Sequence, residues 1–447
     1  MIRHFLLIVV LLVPASVSAQ GNPRSPTEVL SLEQAVALAL ENNRTVKNAG
    51  LEVSKAEDRL AVARTHRLPS VSFNAFSSLL LQRVDFTFKQ GSLGASPFGT
   101  PNPAQDATIS TPRTFNLFAY ASVDQPLSQL YRINLSVRLS EVGRQLAGED
   151  LRAQRQSVAN DVKKAYFDVL QTQSALEATE KAIELYRELD RVTGEYVLQL
   201  VALKSQGLEV KTRLAKAEYD ALTFQNALSS QKERLNQLLG RAITTEFRVN
   251  PIPEMSPYEM DLAAAQGRAR EQRPEVREAR LKLKQAELDR RVKKSEFIPD
   301  ISLSYRFISP FGIEFLPKNI SAAGLFLSWE PFDWGRKRRE LAEKAKTQKQ
   351  ADNGAEDAEA LVLLDVNTRF RKLQEARALL RINELNQETD REKLRVTSNR
   401  YSQKAVLLDD VLQAQAGLAQ SNNQYRQALA TFWTAKADFE RAVGEDQ

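Results

Sequence analysis

The sequence predicts a mixed α/β membrane protein, in which long antiparallel coiled-coil helices adjoin four β-strands, too few to close a barrel within one chain. Three observations carry this expectation. Residues 32–75 repeat at 262–305 with a constant step of 230: Leu32 falls on Leu262, Ala35 on Ala265, Val46 on Val276, Ala56 on Ala286 and Pro69 on Pro299. No proline occurs between Pro126 and Pro251 or after Pro331, leaving two long stretches without the strongest helix breaker. Each repeat passes from a helical pattern through a proline into an alternating segment, Val71-Ser72-Phe73-Asn74 in one and Ile301-Ser302-Leu303-Ser304 in the other.

The elements follow in order. Arg3 and His4 precede the apolar run Phe5–Val13, and Val17-Ser18-Ala19 supplies small residues for cleavage, so residues 1–19 are expected to be a secretory signal peptide. That run falls short of the roughly 20 apolar residues that span a bilayer, which disfavours an uncleaved anchor, and no later stretch approaches this length. An exported mature chain without a transmembrane helix is expected. Residues 20–250 and 251–447 then form two helix–strand–strand–helix repeats.

Composition narrows the function classes. The chain of 447 residues contains no cysteine, which excludes disulfides, thiolate metal sites, a cysteine nucleophile and a lipidated cysteine. Its 62 basic and 56 acidic residues are interspersed, so the net charge of +6 argues little for nucleic acid, and none is expected as a partner. The only histidines are His4 and His66, so one mature subunit cannot assemble a histidine metal cluster or a His-based triad. No cofactor and no metal site is expected.

Inside the first proline-free stretch Val158, Val162, Ala165, Val169, Leu176 and Ile183 keep the heptad spacing of a coiled-coil seam; Val362, Val366, Leu373 and Leu380 do so in the second. A helix from about Ser128 to Gln199 would extend roughly 110 Å at about 1.5 Å per residue, so each stretch must turn back. The turns are expected at Leu200–Gly207 and Lys404–Asp410, with helices restarting at Leu208 and Val411 and ending at Gly240 and Gly444. Leu208 and Leu412, like Gly240 and Gly444, are separated by the same 204 residues, so the second parts of the repeats are also copies.

The strand candidates are Pro69 to about Gln82, Arg113–Asp124, Pro299–Ile308 and Ile320–Glu330. In the second, Phe115, Leu117, Ala119, Ala121 and Val123 alternate with Asn116, Phe118, Tyr120, Ser122 and Asp124. Tilted membrane strands need roughly 9 to 11 residues, although alternation alone also fits a half-buried soluble sheet. A bilayer tolerates no open strand edge, so membrane strands here would have to be pooled by a dimer, trimer or tetramer. The loops Arg83–Pro112 and Ser309–Asn319 would then project outward, and the helices would leave from the opposite rim.

Leu32-Glu33-Gln34-Ala35 with Ala37, Ala39 and Asn42-Asn43, the segment Pro331-Phe332-Asp333-Trp334-Gly335-Arg336, the tip Tyr401–Ala414 and the end Ala442-Val443-Gly444 together resemble the TolC-type outer-membrane efflux proteins over essentially the whole mature chain. The resemblance implies a homotrimer with a shared 12-stranded outer-membrane β-barrel and a long α-helical barrel in the periplasm. It implies a passive exit duct for a tripartite efflux or type I secretion system, with a periplasmic adaptor (membrane fusion protein) and an inner-membrane RND, MFS or ABC transporter as partners. The helix tips would form the periplasmic constriction. By matching position Tyr401 and Asp410 correspond to the family's constriction tyrosine and first acidic residue, Gln413 stands where the second aspartate would be, and Asp409 adds a neighbouring carboxylate. Three copies of Asp410 would repel one another or attract a cation. Asp409 and Asp410 equally suit the cap of a helix restarting at Val411.

Leu203, Lys204, Ser205, Gln206, Leu407 and Leu408 are the expected adaptor-docking tips. Gln206 and Val406 occupy the places of an aspartate–arginine lock, and Lys404 replaces a common glycine, so a closed state held differently or less firmly is expected. Trp329, Phe332 and Trp334 are expected at the membrane rim against outer-membrane lipid, where the cations of Gly335-Arg336-Lys337-Arg338-Arg339 would meet lipid phosphates or else simply start a solvated helix. Trp433 and Phe432 suit interhelical packing. Two other classes compete with this one. A periplasmic adaptor-like coiled-coil protein would need a compact glycine-rich β-domain, and an enzyme would need a phosphate loop, metal spacing or nucleophile constellation that the sequence lacks.

Overall fold

The computed structural model describes residues 28–79, 81–111, 115–200, 203–251, 261–311, 317–403 and 405–445; the signal peptide expected over residues 1–19 and the substitution at Lys404 lie outside them. In chain order the elements are β1 (Glu28–Leu30), α1 (Leu32–Asn42), α2 (Arg44–Thr65), β2 (Ser70–Leu79), β3 (Val84–Phe88), β4 (Ala107–Thr111), β5 (Phe115–Pro126), α3 (Leu130–Leu198), α4 (Lys204–Leu238), β6 (Phe247–Val249), α5 (Leu262–Gln272), α6 (Pro274–Ser295), β7 (Asp300–Phe311), β8 (Ile320–Ser328), α7 (Arg336–Ser402) and α8 (Leu408–Val443).

The duplication is visible in the element ends. The bounds of α1 and α2 recur in α5 and α6 at the same step of 230 that relates the sequences. The helical pattern expected to run unbroken to the proline is interrupted in both copies at one equivalent residue. In the first, Asn43 is extended (ψ 131°) and its side chain accepts the Thr45 N–H at 2.8 Å, a helix cap. In the second, Pro274 at the first helical position forces Arg273 out of the α region.

The long helices α3 and α7 run 69 and 67 residues. Their heptad seams are packed: Val158, Val162, Ala165, Val169 and Ile183 are buried, as are Val362, Val366, Leu373 and Leu380, while Leu176 is half-buried. The restarts differ from expectation. α4 begins at Lys204 and α8 at Leu408, so Gly207 lies inside a helix rather than in a turn, and Asp409 and Asp410 are first-turn residues rather than caps before Val411. Leu203 and Leu407 stand at the starts, and the side chain three residues on closes each from within, which removes the need for a polar cap residue.

Chain contacts divide the protein into two compact units, each drawing on both halves of the duplication. One comprises Met1–Ala39, Asp161–Ser256 and Asn386–Ala430. Within it β1 pairs in parallel with β6, an arrangement absent from the expectation. Leu30, Phe247 and Val249 of this ribbon are buried. The buried Tyr166 hydroxyl of α3 lies 2.9 Å from the Leu30 carbonyl and 3.0 Å from that of Asn250, fastening the two strands.

The other unit comprises Leu40–Asn160, Pro257–Leu385 and Thr431–Gln447. It holds a four-stranded antiparallel sheet in the order β2-β5-β7-β8, with β2 and β8 as open edges. Leu135 and Val142 of α3 pack with Leu288 of α6. The loop between β2 and β5 carries its own hairpin, β3 with β4, where only a loop had been expected. Arg273 is almost buried and knots this unit together. It donates to both oxygens of Glu275 at 2.8 and 2.9 Å, to Asp365 at 3.1 Å and to the Ala442 carbonyl at 3.2 Å.

Candidate functional site

The strand registers assign each residue of the sheet to a face, because successive side chains alternate. One face carries Val71, Phe73 and Leu79 of β2, Leu117 and Val123 of β5, Ile301 and Leu303 of β7, and Leu325 and Leu327 of β8. Many of these are exposed, including Val71, Phe73, Leu79, Leu303, Leu325 and Leu327. So wide an apolar surface on one side of a thin sheet is not sustained in water. The opposite face is polar near its foot, with Ser72, Asn74, Ser122, Asp124, Ser304 and Arg306, and becomes aromatic toward the hairpins with Phe76 and Phe118. Ser122 and Ser304 donate to the two oxygens of Asp124, and Ser72 lies 2.9 Å from Ser122. A cavity of about 570 Å³ at this foot is lined by His66, Ser70, Asp124, Gln129 and Ser302 among others. Sequence alternation pointed to the two faces; the hydroxyl network around Asp124 had no sequence signal, because its members come from three strands.

At the sheet's lower end Trp329, Phe332 and Trp334 are all exposed, and the Phe332 and Trp334 rings meet edge to face at 4.8 Å. Asp333 between them accepts the Gly335 and Lys337 amide hydrogens at 3.0 and 2.8 Å and so caps α7. These backbone hydrogen bonds, the Lys337 amide foremost, hold its carboxyl below the usual aspartate range.

The helix tips repeat one device. The Gln206 side chain accepts the Leu203 N–H at 3.0 Å, and 204 residues later the Asp410 carboxylate accepts the Leu407 N–H at the same distance. Each is half of a capping box, since leucine offers no side-chain acceptor for the other half. Tyr401 lies in the last turn of α7, and Asp409, Asp410 and Gln413 in the opening turns of α8, so one short reversal carries all four; they are exposed. Leu203, Lys204, Ser205, Gln206 and Leu407 are also exposed, and Leu408 is the first residue of α8. Leu200 ends α3 at φ +57°, the left-handed region, at the place equivalent to residue 404. Val406 is half-buried. Phe432 is buried and meets the Trp433 ring at 5.6 Å, a packing pair. Among the described residues no group of three or more His, Cys, Asp or Glu could hold a metal ion, and no helix is long and apolar enough to cross a membrane.

An apolar sheet face, a polar one behind it and two unpaired edges define the class: a protein whose sheet is built to sit in a membrane. The profile of the outer membrane efflux protein family matches residues 35–241 and 266–445, so the chain belongs to that family and its place is the outer membrane. An uncharacterized protein of Haemophilus influenzae is 20% identical over 319 residues; the match covers 68% of this chain but only 64% of that relative, just under two thirds of its length. Among solved structures, CusC, described as forming a transmembrane channel, superposes with a TM-score of 0.75 at 16% identity over 97% of both chains. The CmeC outer membrane channel of Campylobacter jejuni gives 0.74 at 15% identity, covering 92% of this chain and 85% of that one. At these identities the likeness establishes the fold.

Proposed function

We propose that three copies of this chain close their sheets into one twelve-stranded barrel, continued by the long helices as a passive duct from the periplasm to the exterior. The open edges carry this reading. Four antiparallel strands begin and end in opposite directions, so β8 of one copy meets β2 of the next in antiparallel register, and a closed ring leaves no backbone group unpaired in lipid. The apolar face turns toward hydrocarbon, the Asp124 face lines the lumen, and Trp329, Phe332 and Trp334 mark the rim. At the helix tips Tyr401, Asp409, Asp410 and Gln413 form the constriction. Leu203, Lys204, Ser205, Gln206, Leu407 and Leu408 dock a periplasmic adaptor that joins the duct to an inner-membrane RND, MFS or ABC transporter. The places of the family's tip lock hold Gln206, committed to its own helix start, and Val406, so that aspartate–arginine pair is not available and closure is less firm.

The absence of native cysteine makes the edge pairing directly testable. Single-cysteine pairs combining Ser72, Asn74 or Ser78 of β2 with Ala322, Gly324 or Ser328 of β8 are expected to give oxidised ladders that stop at three subunits. A ladder that runs past three, or no intermolecular product from any pair, refutes the closed trimer. A single-channel conductance in planar bilayers as low as that of a tip-locked channel refutes the weak closure.

A further inference from the structure

The junction between β8 and α7 carries charge that a water-filled duct does not use. α7 opens on Arg336, Lys337, Arg338 and Arg339, and four successive cations in a first turn oppose the helix macrodipole, which favours anions there. Glu330 pairs with Arg336 at 2.7 Å and Lys337 at 3.3 Å, and Glu340 pairs with Arg336 at 3.4 Å. Arg338 and Arg339 are exposed and have no carboxylate partner among the described residues. Lys293 at the end of α6 bridges to Glu340 at 2.6 Å, which brings the exposed Arg291 and Lys294 to the same region.

Beside these cations stands Trp334, 90% exposed, with a backbone φ of +57° that bulky L-residues rarely adopt, followed by Gly335 at φ +82°. The apolar sheet face ends at Leu325, Leu327 and Trp329. The chain therefore passes from aliphatic to aromatic to cationic side chains, the order in which a bilayer presents hydrocarbon, interface and headgroups. The equivalent junction of the first repeat has an exposed aromatic, Tyr131, but no run of cations. There Ser128 donates to the Pro299 carbonyl and accepts the Ile301 N–H, both at 2.7 Å, and Arg132 is paired with Asp300 at 3.0 Å. The first junction is tied to the start of β7 in the second repeat; the other leaves Trp334 and two guanidinium groups exposed.

Resting on the membrane reading above, we propose that this junction is a phospholipid site. Trp334 lies at the glycerol level, and Arg338 and Arg339 bind the phosphodiester of an anionic glycerophospholipid in the leaflet nearest the helices. Planar guanidinium groups suit this ligand because their paired N–H groups match two phosphate oxygens. Three such sites would surround a trimer.

The test uses the full chain in a Trp329→Phe/Trp433→Phe background, so that Trp334 is the only tryptophan. Reconstituted into phosphatidylcholine vesicles, Trp334 is quenched by brominated phosphatidylglycerol or brominated phosphatidylcholine, and the ratio of association constants is measured. A preference for phosphatidylglycerol of roughly fivefold or more is expected at low salt. It should fall to near one in Arg338→Gln/Arg339→Gln, persist in Lys346→Gln farther along α7, and survive inorganic phosphate at matched ionic strength. A ratio near one in the parent, a ratio indifferent to the double substitution, or its loss to inorganic phosphate alone overturns the site. The same preparations are assayed for conductance: channels with a ratio of one refute the lipid site alone, whereas a chain that never inserts sinks the duct as well.

Discussion

Asp410 stands in two roles that one substitution set can separate. Its carboxylate accepts the Leu407 N–H at 3.0 Å, and its charge is proposed to face the pore. Asp410→Ala removes both. The lost charge-assisted hydrogen bond contributes about 1 kcal/mol at an exposed site, and the favourable interaction of an anion with the helix start adds roughly 0.3–1 kcal/mol. Together they should speed hydrogen exchange at the first turn of α8 by about tenfold, since 1.4 kcal/mol is a factor of ten. Asp410→Asn keeps an acceptor for Leu407 and loses only the charge, so exchange should rise by about twofold. Gln206→Ala is the control in the other repeat: it opens the start of α4 by about 0.5–1 kcal/mol without altering any charge. Reversal potentials in a salt gradient across a planar bilayer supply the second axis. Asp410→Asn should weaken cation preference, Asp409→Asn/Asp410→Asn should abolish it, and Gln206→Ala should leave it unchanged. The pore role fails if Asp410→Asn retains the full preference, and the cap fails if Asp410→Ala leaves α8 exchange untouched.

Tyr166→Phe should cost about 1–2 kcal/mol, because Leu30 keeps the Asn250 N–H at 3.1 Å while the Asn250 carbonyl loses its partner. Burial pushes the Tyr166 hydroxyl up to about 12 from 10.0, so its stabilisation is complete below pH 10 and lost as pH rises through about 12; proteolysis between these limits should accelerate in the parent more than in Tyr166→Phe. Arg273→Ala would cost 3–5 kcal/mol if its partners were buried, but Glu275 and Asp365 are partly exposed and can rehydrate, so about 2–3 kcal/mol is expected, read as faster exchange over the last turn of α8. Leu200→Gly should be neutral within about 0.5 kcal/mol, the relief of left-handed strain offsetting the freer unfolded chain, whereas Leu200→Val should raise cleavage at the tip several-fold.

Period and repetition made much of the molecule legible. Val162, Val169, Val366 and Leu373 are buried because a heptad seam fixes their side of the helix, and the alternation through Phe115–Asp124 fixes both faces of β5 because a strand has period two. What stayed hidden has no local pattern. β1 and β6 are three residues each and far apart in sequence; they pair through their backbones, with the Tyr166 hydroxyl of α3 at the end of the ribbon. The hairpin β3–β4 alternates through Val84–Phe88, but the surrounding glycine, proline and serine mask it. The helix starts at Lys204 and Leu408 lie ahead of the expected Leu208 and Val411, because the heptad phase is lost across the tips and no polar cap marks the start: leucine is a poor cap residue and the closing side chain lies three residues inside the helix. At the helix tips the sequence could align Tyr401 and Asp410, yet only the fold reveals that Asp410 and Gln206 do the same local work.

That equivalence bears on why a duplicated chain suits a pooled barrel. Each repeat contributes one antiparallel strand pair, so any number of copies supplies an even count of strands, and the edges offered, β2 and β8, always run in opposite directions. Closure is therefore possible for every ring size, and the ring size is left to the packing of the helices. Because the pairing requirement is met by backbone alone, the side chains at the two repeats' junctions and tips were free to diverge. Ser128 clips the first junction to Pro299 and Ile301 of the second repeat, while Trp334, Arg338 and Arg339 place an aromatic ring and charge at the surface. On this argument, exchanging residues 127–132 for a copy of the β8–α7 junction should leave assembly intact and double the phosphatidylglycerol sites. Loss of the trimer on that exchange would mean that the Ser128 clip, rather than edge pairing, governs closure.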